Sequence, residues 1–380
     1  MQQKMKITPA VLIVLISVIC AALMTRFLTT DFSSIDIFAP VDKKVDFRVT
    51  DIYNEFAARP SVRPMNDEIV VVNIDSCNRE GVMKIIQKVN SFGAKAIGLD
   101  VYFSIEKKEN DTVLNTILPP DNLVNATQVK LANTKMSYDR DYLSFFEGKS
   151  TPKHVGFINM DADNMWTIIR TFHPYVTDST GSLIPGLALA LAEIAYPDKA
   201  DILKARHNTQ EIIDFTSQEI KVIGAHRLDN EGVPEDFNGK IVLIGDTTDA
   251  KDIYLTPLAE PTPGVLIHAY ALQTILNESY ITVRSDRFNW SIALLISLIL
   301  VSILLFANES ERLKYSLNIL VRVLILVFMY VLVKIGCAVY ANSHVYVDMM
   351  PSVLMLGFST LAFDIIYAIY GLIRQIKQRN

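Results

Sequence analysis

Long apolar runs at both ends of the chain frame one long stretch of mixed polarity. The runs lie near Ile7–Leu28, Trp290–Phe306, Leu317–Tyr340 and Val345–Ile373. Each is close to the roughly 20 residues that carry a helix across about 30 Å of hydrocarbon. Between the first and second runs, Thr29–Asn289 reads as a water-soluble domain. Glu68–Asp75 is a β-branched run without helical period, the pattern of a strand buried on both faces. Arg79–Ser91 places Val82, Ile85, Ile86 and Val89 on one helical stripe, and Gly93 follows as a helix stop. Ala96–Phe103 reads as a second strand, so the first 35 residues or so of this pattern form a βαβ unit. Lys240–Gly245 is a third strand ahead of a helix over Val265–Leu276. Shorter strand-like runs occur at Val155–Asn159, Thr167–Phe172, Glu211–Phe215 and Ile220–Ile223, and Leu183–Ala195 reads as a helix. The polar stretches Glu106–Asp111 and Tyr196–Gln210 read as surface loops. No internal repeat is visible. The pattern predicts an α/β domain with a mainly parallel sheet flanked by helices, joined to an all-α membrane part of four transmembrane helices.

Charge adds an orientation. Lys4 and Lys6 sit in residues 1–6, Arg312 and Lys314 in residues 307–316, and Arg374, Lys377 and Arg379 in residues 374–380. The connection at residues 341–344 carries no Lys or Arg. Positive segments mark the cytoplasmic side, so both termini are expected inside and residues 29–289 outside. That domain holds 26 Lys and Arg against 37 Asp and Glu, a net −11. The remainder holds 10 against 4, or +6, which together give the formal −5. An acidic external domain does not suggest nucleic acid as a partner. The expected location is a bacterial cytoplasmic (inner) membrane, with a periplasmic domain if the cell is Gram-negative. The first run continues to Leu28 and no clear small-x-small site closes it, which favours an uncleaved anchor over a signal peptide. Bulky Ile19 ahead of Cys20 argues against lipoprotein processing. Cys20 and Cys337 fall in apolar runs, leaving Cys77 alone in the domain. No internal disulfide can form there, so an ordinary core must hold about 260 residues together.

The candidate chemistry is acidic. Asp75, Asp100 and Asp246 each stand at or just past the end of a predicted strand, where parallel sheets bind ligands. Converging carboxylates need cations, donors or raised pKa values to coexist. Asp249 and Asp252 could add oxygen ligands for Mg²⁺ or Ca²⁺. The plainer reading makes each Asp a turn or helix cap. His268 shares a helical face with Leu272 and Ile275, and a core histidine bonded to a strand-end carboxylate is preferred to a metal ligand. Asp161–Asn164 has the opening of a calcium loop without its downstream Gly and Glu. No phosphate-binding loop, nucleophile elbow, zinc-protease helix or Cys/His cluster occurs, so no enzyme activity and no firm cofactor is expected. In the apolar runs, Arg322 and Asp364 lie at depths that let them pair, and Lys334 is placed to snorkel.

Four blocks resemble the second type of CHASE domain, a cyclase/histidine-kinase-associated sensory extracellular module. They are Ile69–Asp75 with Gly93–Phe103, the block Gly239–Asp249 with Asp252 and Thr256-Pro257, the helix Pro263–Gln273, and Gly156–Asn159 with Asp161, Asp163 and Arg170. Asn164-Met165-Trp166 departs from the small residues common there. The resemblance implies an extracytoplasmic ligand-sensing receptor module. Family members usually run on into a kinase or cyclase, whereas this sequence ends about seven residues after its last apolar run. Output is therefore expected through a separate signalling protein. The ligand would be a small molecule or an envelope component, and a homo-oligomer is compatible with the pattern. The alternative is a structural or envelope-assembly membrane protein that does not switch.

Overall fold

The structure is a computed structural model that describes residues 7–30, 51, 53–54, 64–101, 120–132, 137–142, 154–160, 167–178, 181–230, 233–258, 260–309 and 314–379. The chain forms two compact units. One holds Asn54–Ile281, and the other holds the N-terminal helix, Tyr53 and Thr282–Asn380.

The first unit is built on one seven-stranded sheet. Its strands are β1 (Met65–Asn73), β2 (Ala96–Leu99), β3 (Leu123–Ala132), β4 (Ser137–Tyr142), β5 (His154–Phe157), β6 (Glu219–Gly224) and β7 (Ile241–Gly245). The spatial order is β6-β1-β7-β2-β3-β4, with β5 also paired to β3. All pairings are parallel except β3 with β4. β1 and β2, joined by helix α2 (Arg79–Ser91), are not neighbours, because β7 from far along the chain lies between them.

Both faces of the sheet are covered, which explains its apolar strands. Val70, Val72, Ile97, Leu99, Val242 and Ile244 pack on the α2 side with Val82, Met83, Ile86 and Val89. Ile69, Val71, Val124, Ile241 and Leu243 pack on the other side with helices α3 (Leu187–Ala195), α4 (Pro197–Ala205) and α5 (Gly264–Leu276). Asn78 caps α2 by accepting from the Gly81 N–H at 2.8 Å, and Gly93 leaves the helix at φ +84, a conformation that favours glycine.

Several local expectations are corrected. The helix expected over Leu183–Ala195 starts only at Leu187. Leu183–Pro185 pairs instead with Tyr175–Thr177, and Pro185 and Gly186 block an earlier start. The stretch Tyr196–Gln210 is not simply a surface loop: α4 occupies most of it, with Pro197 at its first turn and Ala200 and Leu203 buried. The segment Glu106–Asp111 lies outside the described residues.

The second unit contains α1 (Ile7–Thr30), α6 (Asp286–Glu309), α7 (Lys314–Ser343) and α8 (Met350–Arg379). All four are long and apolar enough to cross a membrane. Ala21, Ala293, Val301, Leu304, Met355 and Phe363 lie in their shared core, where Ser297 and Ser359 meet at 2.5 Å between α6 and α8. The last run was expected to be helical from Val345. Instead β9 (Val345–Tyr346) pairs in parallel with β8 (Thr282–Val283), and α8 begins at Met350-Pro351 with the Asp348 carboxylate accepting from the Met350 N–H at 2.9 Å.

Candidate functional site

The carboxyl ends of β1, β7 and β2 form one rim, as the pairings Asn73↔Gly245 and Ile244↔Leu99 require. Asp75, Asp246 and Asp100 follow these three strands and share that rim, but their side chains do different work. Asp75 turns back at φ +48 and accepts from Asn73 Nδ2 at 2.6 Å. Its other oxygen lies 3.8 Å from the largely exposed His226 ring. Asn73 Oδ1 in turn accepts from the Asp75 and Thr247 N–H groups at 3.1 Å each. Asp246 accepts from the Thr248 N–H and hydroxyl, both at 2.7 Å, and Asp249 accepts from the Lys251 N–H at 2.9 Å. These three aspartates are engaged in local turn bonds, the plainer of the two sequence readings.

Asp100, Asp252 and His268 do come together, with Tyr254 as a fourth member. Their meeting is built by close packing at the start of α5. Asp252 lies in the loop after β7, and its carbonyl accepts from the Gly264 N–H at 2.9 Å. A Cβ on Gly264 would sit 2.6 and 2.7 Å from the two Asp252 carboxylate oxygens. A Cβ on Gly245 would sit 2.8 Å from Val265 Cβ and 3.3 Å from Asp100 Cβ. Two glycines thus let the first turn of α5, the end of β7 and both carboxyls approach. The short ladder of Ile253–Tyr254 against Thr262–Pro263 brings Tyr254 back, and its hydroxyl donates to Asp252. His268, one turn into α5 and buried, donates a ring N–H to the Ile158 carbonyl just past β5.

The electrostatics follow from crowding. Burial pushes the Asp100 carboxyl up to about 7, although part of its surface stays open to solvent. Burial and then the Asp100 charge push Asp252 up to about 6, against the pull of the Tyr254 hydroxyl and His268. Burial lowers His268 to about 4, opposed by Asp252 and the Ile158 carbonyl, so the imidazole is neutral at pH 7. Burial and the Asp252 charge raise Tyr254 to about 12. The cluster holds protons more tightly than free carboxyls do and presents a donor, acceptors and a neutral ring. Beside His268 a cavity of about 20 Å³, lined by Phe157, Met160, Phe172 and Leu187 among others, has room for about one water.

Among the described residues no group of three or more His, Cys, Asp or Glu side chains is placed to hold a metal ion. The Asp161–Asn164 segment lies outside the described residues. Asn159, part of the same block, has a structural duty: its side-chain amide brackets Val129, accepting from its N–H at 2.8 Å and donating to its carbonyl at 2.9 Å. Tyr254 was not singled out in the sequence, because nothing local signals the two-residue ladder that turns it toward Asp252.

In the helical unit, Arg322 Nη2 donates to both Asp364 oxygens at 2.6 and 2.8 Å, linking α7 to α8. Arg322 Nε donates to Asn318 Oδ1 at 3.0 Å, and Asn318 Nδ2 donates to Asn308 Oδ1 at 3.2 Å, extending the network to α6.

Compared with known protein families, the chain matches the CHASE2 domain model over residues 13–307. Neither the curated proteins nor the solved structures contain a match to the chain.

Proposed function

The chain belongs to the CHASE2 domain family, and on that premise we propose that it is a membrane receptor whose α/β domain binds an extracytoplasmic ligand and whose helices pass the change to a separate signalling protein. The family is a sensory one, and four helices long and apolar enough to cross a membrane accompany its domain here, which makes the chain a sensing membrane module. The observation that carries the finer reading is the range of the match. It takes in most of α1, the whole α/β unit and most of α6, so the sensory domain and the helices on both sides of it form one recognised block. The Asp100, Asp252, Tyr254 and His268 cluster supports it as the ligand contact. It lies at the carboxyl rim of a parallel sheet, and its polar groups are crowded together while Asp100, Asp252 and Tyr254 stay partly open to solvent.

A receptor must bind its ligand with different affinity in two states. The test is a thermal-shift screen of the full chain in detergent against divalent cations, primary amines and small carboxylic acids. A ligand that binds the folded form raises apparent stability. A shift that disappears in Asp252→Asn supports the reading. A shift unchanged in Asp252→Asn and Asp100→Asn moves the ligand away from this rim. A flat response across the panel favours a structural membrane protein that does not switch.

A further inference from the structure

Among the described residues, the chain enters the α/β unit through Tyr53 and Asn54 and leaves it through Ile281 and Thr282. Both passages are held by the same short segment, the α7–α8 connection at residues 344–349. On the incoming side, Tyr53 is fully buried. Its hydroxyl donates to the Val347 carbonyl at 3.1 Å and accepts from the Met349 N–H. Its ring packs on Tyr346 and Tyr340, with centroids 5.6 and 6.0 Å away. Gly336 in α7 makes the space: a Cβ there would lie 2.4 Å from the Tyr53 hydroxyl oxygen and 2.8 Å from Cζ. On the outgoing side, β8 pairs with β9. The Thr282 N–H donates to the His344 carbonyl at 2.8 Å, and the Arg284 N–H donates to the Tyr346 carbonyl at 2.9 Å.

We infer that the α7–α8 connection is a shared clasp: it grips the incoming chain through the Tyr53 side chain and the outgoing chain through the β8–β9 ladder, so that a movement of either is felt by the other and by the ends of α7 and α8. The two grips use adjacent atoms of one segment. Tyr346 contributes its ring to Tyr53 and its carbonyl to Arg284, and Val347 follows it directly. The clasp also sits on the helix ends themselves. His344 closes the last turn of α7 at φ +50 with its N–H on the Tyr340 carbonyl at 3.1 Å, and Asp348 caps α8. A two-residue ladder is too short to stand alone, because an isolated strand pair is marginal in water. It therefore depends on whatever fixes residues 344–349, and Tyr53, buried among the described residues of the incoming connection, is a side chain that bonds directly to that segment. This goes beyond the sensing reading, and its failure would leave that reading standing.

The test is amide hydrogen exchange on the full chain in detergent or nanodiscs, read at Thr282 and Arg284. Two variants loosen the incoming grip in different ways. Tyr53→Phe removes the hydroxyl and keeps the ring, while Gly336→Ala drives a methyl into the space the ring occupies. If the clasp is shared, exchange at Thr282 and Arg284 rises at least about tenfold in one variant or both, while α5 exchanges as in the parent chain. Exchange at these two amides within about twofold of the parent in both variants overturns the proposal. So does a rise that spreads equally into α5, since that reports general loosening.

Discussion

Asp100 and Asp252 titrate higher in the fold than in an unfolded chain, whereas His268 titrates lower, and the two effects act on stability with opposite signs. A raised carboxyl keeps its proton in the folded state after the unfolded chain has lost it. Its contribution to stability therefore falls as pH rises, from about 4 to about 6 for Asp252 and to about 7 for Asp100. A lowered histidine does the reverse, and its contribution rises between about pH 4 and its ordinary value near 6.5. Two carboxyls against one imidazole leave the fold holding about one extra proton between pH 4 and 6, so the cluster's net contribution declines with pH across that window. Melting temperatures of the full chain between pH 4.5 and 7 check this by comparison among variants. Asp252→Asn is expected to flatten the decline and His268→Gln to steepen it, each by about 2 °C or more across the window. Profiles of both variants parallel to the parent's would show that these groups do not titrate as their surroundings imply.

At the scale of elements, the closest constraint is where α5 starts. Gly264→Ala places a methyl against the Asp252 carboxylate and should cost about 1–3 kcal/mol. Most of that loss should vanish when Asp252→Ala removes the clashing oxygens, because neighbouring substitutions are not additive. Equal losses in the single and double variants, measured by thermal or denaturant unfolding, would mean the clash is relieved elsewhere. The network of Arg322 with Asp364 gives a second case. A lone charge at such depth in hydrocarbon costs at least about 2.5 kcal/mol, whereas a paired one does not. In a cycle of Arg322→Met, Asp364→Leu and the double variant, folded yield in membranes should suffer more from either single change than from both together. Simple addition of the two losses would show that the observed pairing contributes nothing.

Legibility from sequence divides along the same lines. β1, β2 and β7 could be read because each contains an unbroken apolar run buried on both faces, and α2 and α5 because each runs for 13 residues with apolar positions throughout or along one stripe, α2 with a visible stop at Gly93. The Arg322–Asp364 contact could be read because helical rise fixes depth. α4 could not, since nine residues after Pro197 bury little more than Ala200 and Leu203 and leave no clear stripe. Strands β3 and β4 also passed unread, and so did the insertion of β7 between β1 and β2, which local pattern cannot encode. The rim was predicted from strand ends, yet the cluster that forms there depends on Asp252 and Tyr254. Loop geometry, rather than strand periodicity, carries those two to Asp100 and His268.

At the scale of the whole molecule, the charge pattern yields a testable prediction of sidedness. Outside residues 29–289, Lys and Arg concentrate in residues 1–6, 307–316 and 374–380, and all three segments share one side if the chain crosses four times from an internal start. The α/β unit then lies outside, where a sensory domain would meet an extracytoplasmic ligand. The chain carries its own reporter for this. Cys77 is an exposed thiol in the α/β unit, and Cys20 and Cys337 lie within apolar helices. Burial and then the Asp75 charge raise the Cys77 thiol, so labelling belongs at mildly alkaline pH, where more thiolate is present. A membrane-impermeant maleimide added to intact cells (spheroplasts, if an outer membrane intervenes) is expected to label the parent chain at Cys77 and to leave Cys77→Ser unlabelled. Adding Lys377→Cys to the Cys77→Ser chain should restore labelling only after the membrane is permeabilised. The opposite pattern, with Cys77 reached only after permeabilisation and position 377 reached directly, would invert the topology. It would also place the Asp100–Asp252 rim on the cytoplasmic side, where the proposed ligand class could not apply.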